Sequence, residues 1–422
     1  MASPQDIVVT GVGVVSPIGI GKETFWAALA ARRSGIHSLP LFTDPALHTP
    51  FGGEVPDFDP KQYVRPRKSL KVMGRDIQLA FAAADMACVD ARLRDGPLDP
   101  ERLGVVLGAD MTSCDLDELL GTYRSCTVDG RFDFSRWGQA FPGELFPLWM
   151  LKYLPNMPAC HVGIAQDARG PNNTVTLGEV STLSAIIEAA RVLRRGQADV
   201  MIAGGVGAKI HPAFWARHQV IGYSQHDGDP AAACRPFDAL RDGLVYGEGA
   251  GTLILETRQH AERRGAPVLA HLLGFAVAFE PCHNGTPRQG SAIRRAVLAA
   301  LAAAERMPAD LGYVIAHGVS TVDGDRIEAQ AIQATLGDVP VTAPKSYFGH
   351  LGAAAGALEA VLGVLAFAQG LVPPTLNYEH PDPQCPINVV HAKPLPISRP
   401  SVLILSHSPN GQALALVLGG AE

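Results

Sequence analysis

The chain has little charge and no closely paired cysteines. Charged residues make up 18% of its 422 residues, and the formal net charge is −6. Because this balance gives no overall basic surface, we expect no nucleic-acid partner. The seven cysteines are scattered, with no CxxC pair and no metal-ligand spacing. This distribution argues against a cysteine-built metal site and favours free thiols in a reducing cytoplasm.

Signals for export, for a membrane and for two common catalytic classes are also missing. Residues 1–7 contain no basic start followed by an apolar stretch, and every apolar run of spanning length is interrupted by charges or prolines. The segment Gly11-Val12-Gly13 lacks the third glycine of a phosphate-binding loop, and no GxSxG nucleophile motif occurs. We therefore expect a cytoplasmic protein without membrane contact and without a metal or a permanently bound cofactor.

What the chain does have is a large apolar fraction, 47%, in which short β-branched runs alternate with alanine-rich helical stretches. That alternation indicates α/β layers with buried sheets. Strands are predicted at 7–15, 105–108, 174–177, 200–203, 249–255, 268–279, 313–315 and 402–405, and helices at 22–33, 292–305 and 352–369. Because the order of elements repeats without a clear linker, we predict two similar halves, 1–256 and 257–422.

A first candidate site lies at Glu179, between a predicted strand and a helix whose apolar residues recur at helical spacing. At the start of a helix a carboxylate is favoured by unpaired backbone N–H groups and the helix dipole, by roughly 0.3–1 kcal/mol when exposed. The same placement lowers the pKa of a cysteine. Taken alone, Glu179 is better explained as a structural helix-start residue without a catalytic role.

Two histidines form a second candidate. His317 follows a predicted strand within Ala-His-Gly, and His350 lies within Gly-His-Leu-Gly, after Lys345 and before Glu359. A single histidine beside a turn is usually structural. Two histidines at strand-to-loop junctions, each beside glycines that allow close backbone approach, point to a functional site.

Taken in order, these motifs resemble the β-ketoacyl-acyl carrier protein synthases, condensing enzymes with a thiolase-like fold. The resemblance extends over nearly the whole chain and rests on residues 7–19, 71–80, 155–159, 170–183, 235–251, 316–328, 343–359, 373–377 and 381–383. It implies an α/β fold of five layers, αβαβα, made of two duplicated halves.

The resemblance also implies roles for individual residues. His317 and His350 match the histidines that assist decarboxylation of a malonyl-carrier protein and stabilise the enolate oxygen, while Lys345 and Glu359 match the charged pair that orders the site. Thr321, with Ser320 and Asn410, is assigned to the phosphopantetheine arm of the carrier protein, and Asp325 to support of the site.

Several positions depart from the family pattern. Glu179 stands where the family has its nucleophilic cysteine, and an acyl-carboxylate anhydride would hydrolyse readily, so acyl loading by the usual route is not expected. Val319 replaces a second pantetheine-binding threonine. The neighbours of the histidine and proline in 282–287 are altered, and 406–412 replaces the loop that gates acyl entry.

Two further surfaces bear on partners. A basic cluster lies where the family docks its acidic acyl carrier protein, and its alternative is a solvated helix face: Arg65, Arg67, Lys68, Lys71 and Arg75. Residues 116–159 are rich in aromatic side chains and proline, which is typical of a cap, a subunit contact or the wall of an acyl channel. A hydrophobic cluster under a long loop explains that composition equally well.

Two functions follow as hypotheses. In the first, the protein decarboxylates a malonyl-carrier protein, and Glu179 caps the former cysteine pocket or acts as an acid or base in a condensation that skips the acyl-enzyme. In the second, the chain is a chain-length-factor-like partner that shapes the acyl tunnel of an active ketosynthase. Either implies a dimer through a central sheet edge, as a homodimer or as a heterodimer with a cysteine-containing ketosynthase.

Overall fold

The computed structural model describes residues 6–40, 51–96, 98–218, 222–282 and 288–421; the altered segment 283–287 lies outside the described residues. Its strands, β1 to β17 in chain order, are Ile7–Ser16, Gly19–Ile20, Ile36–Ser38, Phe51–Gly53, Leu103–Gly108, Thr127–Val128, Arg131–Phe132, Asn172–Val175, Val200–Ala208, Glu248–Thr257, Ala270–Phe279, Tyr313–Ile315, Val341–Thr342, Leu371–Val372, Leu395–Pro396, Ser401–His407 and Gln412–Gly420.

The α-helices, α1 to α12, are Lys22–Ala30, Arg75–Asp90, Leu116–Ser125, Trp137–Glu144, Met157–Ala165, Ser181–Arg194, Pro212–His218, Arg258–Arg263, Ser291–Ala303, Val322–Leu336, Lys345–Phe348 and Ala357–Gln369. Short 3₁₀ helices lie at Pro60–Gln62, Arg67–Val72, Pro100–Arg102, Phe134–Arg136, Trp149–Lys152, Gly178–Val180, Pro230–Ala232, Pro308–Asp310 and Gly352–Ala354. The helix expected over 352–369 therefore begins later, since Gly356 adopts a left-handed conformation directly before it.

The main sheets repeat one topology. In the first half the strand order is β8-β5-β9-β10-β1, and in the second it is β13-β12-β16-β17-β11. Counted within each half, both orders read third, second, fourth, fifth, first. In each order the first three strands pair in parallel. The third strand pairs with the fourth, and the fourth with the fifth, in antiparallel fashion. The repeat predicted from the order of elements is thus present in the strand pairing, and β1 joins β11 through residues 7–9.

Three apolar layers separate and cover the two halves. Helices α6 and α12 lie between the halves and share one core with inward residues of both, such as Met201 and Ile404. Helices α2 and α5 cover the first half, and α9 and α10 cover the second. Neighbouring strand residues face opposite layers, as Val314 and Ile315 do, because the side-chain period of a strand is two. The result is the expected αβαβα arrangement.

The central helices start close together. The hydroxyl of Thr182, in the first turn of α6, donates to the carbonyl of Ala353 just before α12 at 2.6 Å. Strand β9 packs against the same place, and Gly207 allows it, because a Cβ there would lie 1.7 Å from the Leu351 carbonyl oxygen. The apolar stretch Gly352–Gln369 is long enough to span a membrane, but 83% of it is buried inside the fold.

Candidate active site

Glu179 lies in the 3₁₀ turn Gly178–Val180, directly before α6. The turn is fixed by Ser181, whose hydroxyl accepts from Leu177 N at 2.8 Å and donates to the Gly178 carbonyl at 2.6 Å. Ser406, near the end of β16, donates to the Glu179 carbonyl at 2.9 Å. These contacts hold the backbone, and the carboxylate side chain, 22% exposed, points toward the two candidate histidines.

The two imidazoles converge on this carboxylate. His350 Nε2 lies 3.3 Å from Glu179 Oε1, and His317 Nε2 lies 3.8 Å from Glu179 Oε2. The ring centroids are 5.8 Å apart and the ring planes are nearly perpendicular. Burial raises the pKa of Glu179, but the imidazoles of His317 and His350 outweigh burial and hold that pKa well below its usual range. The site therefore holds a carboxylate anion between two ring nitrogens.

His317 is oriented from both of its ends. Its backbone N–H and that of Gly318 donate to the two oxygens of buried Glu328, at 2.6 and 2.8 Å. On the other side, Lys345 Nζ donates to the His317 carbonyl at 2.7 Å and lies 3.4 Å from Nδ1. An ammonium group cannot accept, so this contact favours the tautomer with its proton on Nε2, which faces Glu179. Burial, followed by the Lys345 charge, lowers the pKa of His317 to about 3, so the ring is neutral at ordinary pH.

Lys345 and Glu359 form the predicted charged pair. Nζ lies 2.6 Å from Oε1, and both side chains are almost fully buried. The second oxygen, Oε2, accepts from Gly356 N at 2.9 Å. Taking two charges out of water is costly. The hydrogen bonds that the ammonium group and both carboxylate oxygens make offset that cost.

Asp325 supports the loop that carries His317. Its oxygens accept from Val319 N at 3.0 Å and from Phe237 N at 2.9 Å. Burial raises the pKa of this carboxyl to about 7. It stands behind the site and holds two backbone segments together.

A pocket with a volume of about 410 Å³ opens beside these residues and is lined by Glu179, His317, Val319, Thr321 and His407, among others. Thr321 therefore faces the space that a pantetheine arm would enter. Ser320 does not line it: the residue is fully buried with φ at 70°, and its hydroxyl accepts from Arg235 N at 3.0 Å. Asn410 is exposed beyond the lining residues. Contact of any of the three with an arm stays a prediction.

Two residues of the site were not predicted from the sequence. His407 ends β16, and its ring centroid lies 4.6 Å from that of His317; Glu328 lies one turn after Asp325 on α10 and 3.6 Å from His407 Nε2. A signal did exist, because a histidine at the end of a predicted strand faces the same sheet edge as His317 at the end of the neighbouring parallel strand.

The structure divides the basic cluster. Arg65, Arg67, Lys68 and Lys71 are exposed on and beside the 3₁₀ helix Arg67–Val72. Arg75 differs, because it pairs with the buried Glu248 at 2.6 Å, donates to the Val55 carbonyl at 3.3 Å and packs over a phenylalanine ring. Four residues of the cluster are thus exposed without a carboxylate partner in the described chain, whereas Arg75 is paired with Glu248 and 35% exposed; docking of a carrier protein at the cluster stays a prediction.

The aromatic segment forms a connected surface cluster. Rings contact one another in series along α3, the hairpin β6–β7 and α4, and they belong to Tyr123, Phe132, Phe134, Trp137, Phe141, Trp149 and Tyr153. Phe134 is 72% exposed. The segment is absent from the lining of the described pocket. Its assignment as a cap, a subunit contact, the wall of an acyl channel or a hydrophobic cluster stays a prediction.

The five layers, the duplicated sheets and the paired histidines define a condensing-enzyme class with a thiolase-like fold. Family models agree: residues 4–261 match the beta-ketoacyl synthase N-terminal domain and residues 269–379 its C-terminal domain. The chain belongs to the beta-ketoacyl synthase family, the ketosynthases of fatty acid and polyketide biosynthesis.

Similar proteins match along their full length. A putative polyketide beta-ketoacyl synthase 1 of Streptomyces cyaneus is 36% identical over 423 residues, which cover 98% of both chains. Among solved structures, the ishigamide ketosynthase/chain length factor superposes with a TM-score of 0.85 at 29% identity, covering 99% of both chains. A type II polyketide acyl-carrier protein in complex with its ketosynthase gives 0.85 at 28%, covering 100% of both.

Proposed function

We propose that the protein decarboxylates a malonyl group held as a thioester on an acyl carrier protein, giving the acetyl thioester and CO₂. The observation that carries this proposal is the convergence of His317 and His350 on one anion, the Glu179 carboxylate, at 3.8 and 3.3 Å. His350 Nε2 faces one oxygen of this carboxylate and His317 Nε2 faces the other, and imidazole nitrogens placed around a negative charge are what stabilisation of an enolate requires.

In the proposed reaction, the thioester carbonyl oxygen takes the place between the two imidazoles. The bond from the methylene carbon to the carboxylate breaks, CO₂ leaves, and the bonding electron pair passes into the enolate, whose charge lies on that oxygen. Nε2–H of neutral His317 then donates to the charge as it develops. A fixed donor of this kind contributes about 10²–10³ in rate.

Glu179 must yield this position to the substrate. Its carboxylate lies beside the two imidazole nitrogens that the thioester oxygen must approach, and it has the same sign of charge as the malonyl group. The side chain of Glu179 therefore opposes substrate binding until it moves into the pocket. Because Glu179 stores no acyl group, the enolate meets no acyl-enzyme, and protonation of the enolate replaces condensation.

The carrier protein is the proposed source of the substrate. Arg65, Arg67, Lys68 and Lys71 offer an exposed cationic surface to an acidic partner, and Thr321 lies at the pocket that the phosphopantetheine arm would enter. The solved complex of a ketosynthase with its acyl-carrier protein supports this assignment by similarity.

A second candidate function is that of a chain-length-factor-like partner of an active ketosynthase. Loss of the cysteine favours it, and so does similarity to the ishigamide ketosynthase/chain length factor. Strand β8 ends the main sheet of the first half, and the aromatic cluster is exposed, so surface for a homodimer or a heterodimer is present. Retention of the buried Lys345–Glu359 pair and of both imidazoles favours catalysis, because a scaffold has no need of a preformed anion site.

The test follows conversion of malonyl-carrier protein to acetyl-carrier protein by the wild type and by Glu179→Gln. The amide keeps the size of the side chain but gives up the imidazole N–H groups more readily, since hydrogen bonds to neutral acceptors are weaker by about 1 kcal/mol. We expect conversion by the wild type and about a fivefold faster conversion by Glu179→Gln.

Three other outcomes contradict parts of the proposal. A large loss of rate in Glu179→Gln would assign acid–base duty to the carboxylate. Equal rates would remove its opposition to the substrate. Conversion that appears only when a cysteine-containing ketosynthase is added would replace the catalytic proposal by the partner function.

A further inference from the structure

His407 is a third imidazole in the site, beside the pair that the reaction uses. It lines the pocket, its ring centroid lies 4.6 Å from that of His317, and its side chain is 14% exposed. Behind it stands Glu328, fully buried, with Oε2 3.6 Å from His407 Nε2. Glu328 also accepts from the backbone N–H groups of residues 317 and 318, so its position is fixed.

The proposed reaction leaves a task that Glu179 and His317 do not perform. An enolate that meets no acyl-enzyme must take a proton on carbon. Glu179 is ionised and carries no proton, and neutral His317 is occupied in donating to the enolate oxygen. The acid for this step must carry a proton that it can give up, must face the pocket and must lie beside His317.

We propose that His407, which faces the pocket beside His317 and has the Glu328 carboxylate behind it, is the acid that protonates the enolate carbon. This inference rests on the proposed decarboxylation. As the thioester carbonyl re-forms, the enolate electron pair takes the proton from the His407 ring, the methylene becomes the methyl of the acetyl group, and the neutral imidazole regains its proton from water. His407 would then be a catalytic residue, and Glu328 a positioning residue that acts through it.

The charges around His407 support this assignment. Burial disfavours its charged form, but Glu328 on α10, together with Glu179 before α6 and Asp325 on α10, raises its pKa above the ordinary histidine value. Neutral His317 lies on the loop after β12. The acid form is therefore present below this raised pKa and is lost as the pH rises through it. Decarboxylation should fall on the alkaline side.

The experiment compares His407→Phe with the control His260→Phe. His260 also contacts a buried glutamate, Glu256, and its side chain is 15% exposed, but it lies on α8, away from the pocket. CO₂ release from malonyl-carrier protein is measured across the range in which imidazoles titrate. We expect His407→Phe to lose about 10²-fold and to lose the alkaline fall, while His260→Phe keeps both rate and profile.

The outcomes separate the two proposals. If the wild type releases no CO₂, the decarboxylase function fails. If the wild type is active and His407→Phe keeps its rate and its alkaline fall, the role of His407 is refuted. Should His407→Phe not fold, the wild-type profile decides, because a rate that stays constant at alkaline pH overturns the proposal. A folded His407→Gln, which carries no titratable ring, must also lack the alkaline fall.

Discussion

Two buried glutamates, each facing a histidine, behave differently in this fold. Glu256, in β10, accepts from His260 Nδ1 at 2.7 Å, from Arg264 Nε at 2.8 Å, from Arg264 Nη2 and from the Thr10 hydroxyl. Burial opposes its ionisation, but these partners, led by Arg264, lower its pKa. Both carboxylate oxygens of Glu256 thus accept two hydrogen bonds each, and the network joins β1, β10 and α8.

Among the described residues, the hydrogen bonds that Glu328 accepts come only from backbone N–H groups. Its two oxygens accept from two main-chain N–H groups, while His407 Nε2 stands 3.6 Å away and, like His317 Nε2, makes no hydrogen bond within the described part of the chain. Buried polar groups are normally paired, and exceptions need an explanation. A saturated network stabilises the fold, and an unsaturated one beside a pocket is available to a ligand.

The largest effect is expected where the saturated network is broken. Glu256→Ala leaves the guanidinium of Arg264 largely buried without its carboxylate, and we expect a loss of about 3–5 kcal/mol in the free energy of unfolding. Denaturant unfolding measures it. Glu262→Ala, which breaks an exposed ion pair with Arg258, is the control and should cost less than about 1 kcal/mol. Folded Glu256→Ala should still convert malonyl-carrier protein. If its turnover fell as far as that of His407→Phe, the two glutamate networks would not differ in function.

The open network should respond in activity as well as in stability. In Glu328→Gln one of the two backbone N–H groups faces an amide N–H₂ in place of an oxygen, at a cost of about 1–3 kcal/mol. The His407 imidazolium also loses its counter-charge, so the alkaline fall of CO₂ release should move to lower pH. The conservative Glu328→Asp keeps the charge and should keep part of the profile. An unchanged profile in Glu328→Gln would mean that Glu328 is purely structural.

The anion preference of the open network can be read directly with a thiol. In Glu179→Cys the introduced side chain lies beside His317 and His350 at the start of α6, so its pKa should fall by about one unit or more below the ordinary ~8.5. The pH dependence of alkylation by iodoacetamide measures this shift. A cysteine in a short unstructured peptide provides the reference profile, and the wild type gives the background of the native thiols. Identical profiles would show that residue 179 has no anion-stabilising surroundings.

The smallest effect is the pH dependence of stability, and its sign differs between the two networks. The lowered pKa of Glu256 contributes stability above the unfolded value of about 4.3, and this is lost as the pH falls through the folded value. The raised pKa of His407 contributes stability below about 6.5, and this is lost as the pH rises through the folded value. Thermal unfolding against pH should show a weaker alkaline fall in His407→Phe than in the wild type. The reverse pattern would contradict the assignment.

Much of the fold and the centre of the site could be predicted from the sequence. Short β-branched runs mark the buried strands and alanine-rich stretches mark the helices. Because these elements recur in a similar order, the two halves could be predicted from the sequence. Glu179, His317 and His350 were found because each stands at a strand-to-loop junction within a local motif.

Pairings between distant residues could not be predicted in this way. Arg75 meets Glu248 across 173 positions of sequence, and Glu328 meets His407 only because β12 and β16 are parallel neighbours. The position of Ser320 could not be predicted either: its backbone is left-handed, its hydroxyl accepts from Arg235 N, and the residue does not line the described pocket. These outcomes depend on register and on single φ angles, which residue types alone do not specify.

The hydrogen bond from Thr182 to Ala353 joins the first turn of α6 to the 3₁₀ turn Gly352–Ala354, which comes before α12. Helix α6 directs the positive end of its dipole toward Glu179, which lies directly before its first turn. Position 179 therefore lies in electropositive surroundings that the fold provides, and these stabilise a thiolate and a carboxylate alike. Exchange of one for the other alters what the protein can do to a thioester while leaving the scaffold almost indifferent to the change.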